Sequence, residues 1–221
     1  LSIPAGTKIV GDTTALGSAL FVLRGARIVA NGTESAPVVF TSQRSAGNRS
    51  PGDWGGLIIV GNARNNRSGN INVEGSDGSV IGANSTGIVY TGGANDADNS
   101  GRMSFVQIRY SGFVLGANVE LQSLTTEGVG SATVLDHIMS YNSSDDGSEH
   151  FGGSPSMKYY ISVGADDDSI DVVREDIPLP ELQIGDLVVG RMMGAYTACS
   201  ATDFNFIPRA KIVALNVQAR S

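Results

Sequence analysis

From its start to about residue 165 the chain is a succession of short β-rich runs broken by clusters of Gly, Asn, Asp and Ser, with no helical period sustained over ten residues. The runs include Lys8–Val10, Ala19–Ala30, Pro37–Thr41, Leu57–Val60, Ile88–Tyr90, Phe105–Tyr110, Ala132–Tyr141 and Tyr159–Val163. Strands so short, so many and so regularly interrupted confine the fold to a sandwich, a barrel or a solenoid. The 29 glycines suit a chain with frequent tight corners, where positive φ is needed. A hydrophobic content of 41% argues against disorder, and the glycines keep no Gly-X-Y period, which excludes collagen.

Internal similarity points to the solenoid, because solenoids repeat themselves. FVQIRY at 105–110, LDHIMS at 135–140 and YYISV at 159–163 are each a β run leading into a polar corner. Ile138 and Ile161 are 23 residues apart, close to one coil of a three-sided β-helix. Ile108 and Ile138 are 30 apart, a coil plus an insertion. In such a coil apolar side chains point to the axis and stack on their counterparts one rung away, about 4.8 Å along.

Several segments, in order, carry a resemblance: GTKIVG at 6–11, GARIVANGTESAPVVFTS at 25–42, GDWGGLIIVGNA at 52–63, DNSG at 98–101 with the following FVQIRYSG, and DDGSEHFGG at 145–153. Over about residues 6–171 the chain resembles a family of bacterial exported right-handed parallel β-helix proteins. The resemblance implies an all-β solenoid, here expected over 1–168, placed outside the cell or on its surface. It carries over no catalytic residues. His150 stands where the family pattern leads us to expect an aromatic.

Beyond residue 168 the character changes. IPLPELQIGDLVV at 177–189, MGAYT at 193–197 and ATDFN at 201–205 resemble the C-terminal end of the pyridoxal-phosphate-dependent ornithine/lysine decarboxylases, over about 169–216. By that resemblance Asp168 would hold the substrate amine and Tyr196 would contact the cofactor phosphate, while Asp167 replaces the family's cysteine. The Schiff-base lysine and Gly-rich phosphate loop of that enzyme are missing, so bound pyridoxal phosphate is not expected. The join near 168 reads either as a gene fusion or as two unrelated sequences joined in error, a chimera in both cases, and residues 169–221 are expected to form a short β-rich tail or a cap on the solenoid.

An acidic cluster is the best candidate for chemistry. Asp145, Asp146, Glu149, Asp167 and Asp168 are brought near one another if one coil separates Asp145 from Asp168. Stacked carboxylates repel, which raises a pKa or recruits a cation. Calcium, taking six to eight oxygens, fits better than magnesium. Two rival readings are corner turns in which each Asp bonds its own backbone, and catalysis with His150, Lys158 or Arg109 as base. Asp96–Gly101 superficially resembles a calcium loop without its final Glu, and a solvated turn is the plainer reading. Trp54, beside Asp53 and two glycines, is either a sugar-stacking platform or a packed corner. His137, next to Ile138 on a strand, is expected to face outward, and His150 to sit in a loop. Five Asn-X-Ser/Thr sequons, at Asn31, Asn48, Asn66, Asn84 and Asn142, are near chance in so Asn/Ser-rich a chain.

Net charge is −7, which disfavours nucleic acid as a partner. The lone Cys199 allows no intrachain disulfide, and no apolar run approaches the roughly 18 residues of a membrane span. A first residue of Leu1 suggests a removed leader. The expectation is a non-catalytic exported module that binds a glycan or another surface component, with calcium as the cofactor to consider. A polysaccharide lyase or hydrolase on the same scaffold, and a decarboxylase fragment or fusion, are the alternatives.

Overall fold

The structure is a computed structural model that describes residues 1–15, 17–65, 72–76, 93–116 and 119–173. The expected strand Ile88–Tyr90, Asn66, Asn84, Tyr196, Cys199 and the expected tail or cap from 174 onward lie outside the described residues. Fourteen strands and no helix make up the described chain.

Two parallel sheets are filled alternately as the chain advances. The first holds β1 (Ser2–Ile3), β2 (Lys8–Gly11), β4 (Ile28–Asn31), β5 (Val38–Ser42), β7 (Gly101–Arg109), β11 (Val134–Tyr141) and β13 (Ser156–Val163). The second holds β3 (Ala19–Val22), β6 (Gly56–Val60), β10 (Leu124–Glu127), β12 (Glu149–Phe151) and β14 (Asp171–Val173). The short hairpin β8 (Phe113–Gly116) with β9 (Val119–Leu121) is the antiparallel exception. In the first two rungs of the first sheet the strand is split: β4 pairs with the first half of β7 and β5 with the second. Parallel neighbours reached by way of a strand in the other sheet are what a β-helix requires.

Register makes columns of like residues. Val38, Val106, Ile138 and Tyr160 face one another across successive strands, as do Leu20, Leu57 and Leu124 in the second sheet. Apart from the partly buried Leu20 and Tyr160, which pack against it, these side chains form the main buried cluster with Phe40, Ile28, Ile59, Met103, Ile108 and Leu135. Burying each stabilises the fold by about 1.5–3 kcal/mol against leaving it in water.

The coil lengths differ from the expected ones. Ile138 is opposite Tyr160, a step of 22 rather than 23, and opposite Val106, a step of 32 rather than 30. The expected steps matched isoleucine to isoleucine, but Ile161 is exposed and Tyr160 takes the inward place; the three rungs share a bend at which Phe105, His137 and Tyr159 all adopt positive φ, 49°, 51° and 55°. Each lies where the paired register skips one residue, so the next apolar residue returns to the core. Ala19–Ala30 is likewise two strands around a corner rather than one run. Two glycines are fixed by close approach: a Cβ on Gly101 would meet the Ile28 carbonyl oxygen at 1.8 Å, and one on Gly56 that of Gln122 at 2.2 Å.

Candidate functional site

The outer face of the second sheet changes character along its length. Phe21, Ile58, Thr125, Glu149 and Asp171 occupy one column, and Val60, Glu127 and Phe151 the next. Ile58 and Val60 pack beneath Val73 and Leu121 in a second apolar cluster. The first column reaches a carboxyl group two rungs after Ile58, at Glu149, and the second one rung after Val60, at Glu127.

The 22-residue step moves the aspartate pairing by one place. Asp168 stacks on Asp146, not on Asp145: its backbone N–H donates to Asp146 Oδ1 at 2.8 Å. Asp146 is the hub of two triads, one with Asp167 and Asp168 and one with Glu149 and Asp171, each offering three oxygens within 4.8 Å of one another. Asp145 belongs to neither triad. Asp171 was not foreseen, although it stands 22 residues after Glu149 and opposite it in register.

Asp146 and Glu149 are buried, and one oxygen of Glu149 has no hydrogen-bond partner. Burial, reinforced by Asp145, Asp167 and Asp171, pushes the Asp146 carboxyl up to about 7. Burial, reinforced by Glu74 and Asp146, pushes Glu149 up to about 9. Burial also raises Asp145 and Asp168. Among the described residues no Lys, Arg or His forms an ion pair or hydrogen bond with Asp145, Asp146, Glu149, Asp167 or Asp168. Such a group can hold protons or a hard cation, and it offers oxygen donors only.

The other candidates fall elsewhere. Trp54 is 4% exposed, donates its indole N–H to the Arg109 carbonyl at 2.9 Å and stacks near Phe40. It is a packed corner, not an exposed sugar platform. It lines one wall of an apolar pocket with Ile9, Leu20 and Phe40. His150 is not in a loop but buried on β12, its Nδ1 2.7 Å from Thr126 Oγ1. Burial pushes this imidazole down to about 4, so it is neutral at pH 7. Around Asp96–Gly101 the side chains serve the chain itself: Asp96 pairs with Arg64, Asp98 accepts from Ser100, and Asn99 accepts from the Gly101 N–H. That is the turn reading.

His137 does face outward, its side chain 39% exposed, and it takes part in a feature that sequence reasoning missed. Its ring stacks on Phe105 at 4.2 Å and on Tyr159 at 4.4 Å. The three rings form a column on the outer face of the first sheet, and Tyr159 at its end is 68% exposed. Beside it, Asp136 is opposite Lys158 and 3.7 Å from Arg102. Three aromatic-capable residues at matched rung positions, each before an inward apolar residue, were the signal available.

Comparisons with known proteins agree with the solenoid. The description "Pectate-lyase like beta helix domain" fits a family model that matches residues 1–174. Short matches also reach a probable ornithine decarboxylase of Dictyostelium discoideum, 55% identical over 38 residues, 17% of this chain and 8% of that protein. A lysine/ornithine decarboxylase of Selenomonas ruminantium is 45% identical over 56 residues, 25% of this chain and 14% of that protein. The chain thus spans a small part of either enzyme. No solved structure matches. With two alternating parallel sheets and a family match over most of its length, the chain belongs to the pectate-lyase-like β-helix domain family.

Proposed function

We infer that this is a non-catalytic, exported β-helix module that binds a glycan or another cell-surface component and is stabilised by calcium at Asp146, Glu149 and Asp171. The coils wind in the right-handed sense, as parallel crossovers do in about 98% of cases. The observation that carries the calcium part is the buried Asp146–Glu149 pair, with an unpartnered oxygen and no basic neighbour. A cation there would replace lost water and cancel like-charge repulsion at once.

The polar outer face of the first sheet supports the binding part. An exposed tyrosine ring, flanked by Lys158 and the Arg102–Asp136 pair, offers a stacking face with hydrogen-bonding groups around it. A lyase would need a basic side chain within reach of the carboxyl cluster, and the described residues place none there. Lys158 and Arg109 lie on the first sheet, and His150 is engaged by Thr126. The decarboxylase-like stretch matches only 8% and 14% of the lengths of the two enzymes, so no amine chemistry is proposed. Affinity electrophoresis through gels containing acidic and neutral polysaccharides, with and without calcium, tests this reading. Calcium-dependent retention without release of shortened or unsaturated sugars supports it. Depolymerisation of any of these polysaccharides would overturn it.

A further inference from the structure

Glu127, the last residue of β10, is 0% exposed, and neither carboxyl oxygen has a hydrogen-bond partner. In register it lies between Val60 and Phe151, so the neighbouring strands offer it no polar side chain. Across it runs the segment 72–76, held down by Val73 in the apolar cluster with Ile58, Val60 and Leu121. That segment carries Glu74, the one side chain whose charge acts on Glu127.

Glu74 is itself loosely held. Its oxygens accept from the Glu120 N–H at 3.3 Å and from Gln122 Nε2 at 3.4 Å. Charge-assisted hydrogen bonds are usually about 2.7–2.9 Å. Around the two carboxyls the nearby polar groups are oxygen-rich: Gln122 also accepts from the Thr125 hydroxyl at 2.6 Å. No lysine, arginine or histidine among the described residues pairs with Glu74 or Glu127.

A proton on Glu127 would remove its charge, but beyond the Glu74 backbone N–H that acts on this carboxyl no group is placed to accept the buried O–H. A buried O–H left unpaired is costly. A hard cation satisfies both oxygens and the repulsion from Glu74 together. We propose that Glu74 and Glu127 bind a divalent cation of the calcium type between β10 and the segment 72–76, at a site separate from that of Asp146. Its ligands would be the two carboxylates completed by neutral oxygens and water, and its effect would be to clamp that segment to the sheet. The site shares no carboxylate with the Asp146 triads, although Glu74 also repels Glu149, so the two readings are told apart by which substitution removes an ion.

Calorimetric titration of calcium chloride into the chelator-treated full chain tests it. Two calcium ions are expected for the parent protein, one for Glu127→Gln and one for Glu74→Gln. Asp146→Asn is expected to leave one ion, which the Glu127→Gln change then abolishes. A parent protein that binds one ion, lost in Glu127→Gln but kept in Asp146→Asn, supports this site and sinks the other. A stoichiometry unchanged in both Glu127→Gln and Glu74→Gln overturns the proposal. So does an infrared band of a protonated carboxyl that persists at saturating calcium and vanishes in Glu127→Gln. Circular dichroism in chelator establishes that each variant is folded, and Glu74→Gln, nearer the surface, serves if Glu127→Gln is not.

Discussion

The outer faces of the two sheets use the same scaffold in opposite ways. On the first, three rings stack along successive rungs and end in an exposed tyrosine. On the second, apolar positions at Ile58 and Val60 give way to Glu127, Glu149 and Asp171 as the rungs advance. Stacking one rung on the next multiplies whatever a column contains. Rings in a column attract, by about 0.5–1.5 kcal/mol per pair. Carboxylates in a column repel, so they demand protons or cations. The difference teaches that in a solenoid the column, rather than the single residue, decides what a face can do.

The largest effect should come from the core that both faces share. Phe40→Ala, in the buried cluster between the sheets, is expected to cost about 3–5 kcal/mol, read as a lower urea midpoint. If the loss were below 1 kcal/mol, the two sheets would not be packed on a common interior. Next comes calcium itself. At a hundredfold excess over its dissociation constant it should raise unfolding free energy by about 2.7 kcal/mol per site. A melting temperature indifferent to calcium would break the contrast between the faces.

Glu127 gives the pH dependence. Its folded pKa is raised from 4.5 to about 9, chiefly by burial, so the folded state holds a proton that the unfolded chain loses. In chelator, that contribution is fully present below pH 4.5 and is lost as pH rises through about 9. The slope is about 1.4 kcal/mol per pH unit between those limits. Urea unfolding of the parent and Glu127→Gln proteins from pH 5 to 9 should differ by this slope, since Glu149 and Asp146 contribute their own pH dependence to both. Equal slopes would show that Glu127 is not buried as described. Smaller again, His137→Ala removes two stacking contacts and should cost about 1–2 kcal/mol in stability. It should also weaken retention by polysaccharide if the column forms the binding face. Arg64→Ala, on the exposed pair with Asp96, should leave the urea midpoint within error, as surface ion pairs contribute little.

The sequence made the rungs legible and the columns harder to read. Short β runs at Lys8–Val10, Leu57–Val60 and Tyr159–Val163 are strands in the structure. Their spacing was off by one or two residues because isoleucine was matched to isoleucine, whereas the bends at Phe105, His137 and Tyr159 turn Tyr160 rather than Ile161 toward the core. That one-place error moved the partner of Asp168 from Asp145 to Asp146. The acidic cluster itself was visible because its members lie in two short stretches. Glu127 and Glu74 were not, because they are far apart in sequence and meet only through the segment laid over β10. Trp54 looked available because its neighbours are small and polar, yet it packs over Gly11, where a Cβ would approach its ring to 2.4 Å.

The partner positions Leu57 and Leu124 are 67 residues apart in the chain yet sit on adjacent rungs. Since each strand is held by the strand beside it, the length of chain between them is nearly free to vary. Doubling a flexible connection costs only about 0.6 kcal/mol in closure entropy. The corners are therefore natural graft points. A foreign peptide spliced in near Gly47, in the corner between β5 and β6 where an added Cβ would meet nothing within 4 Å, would be displayed on a rigid scaffold while the stacked strands keep their alignment.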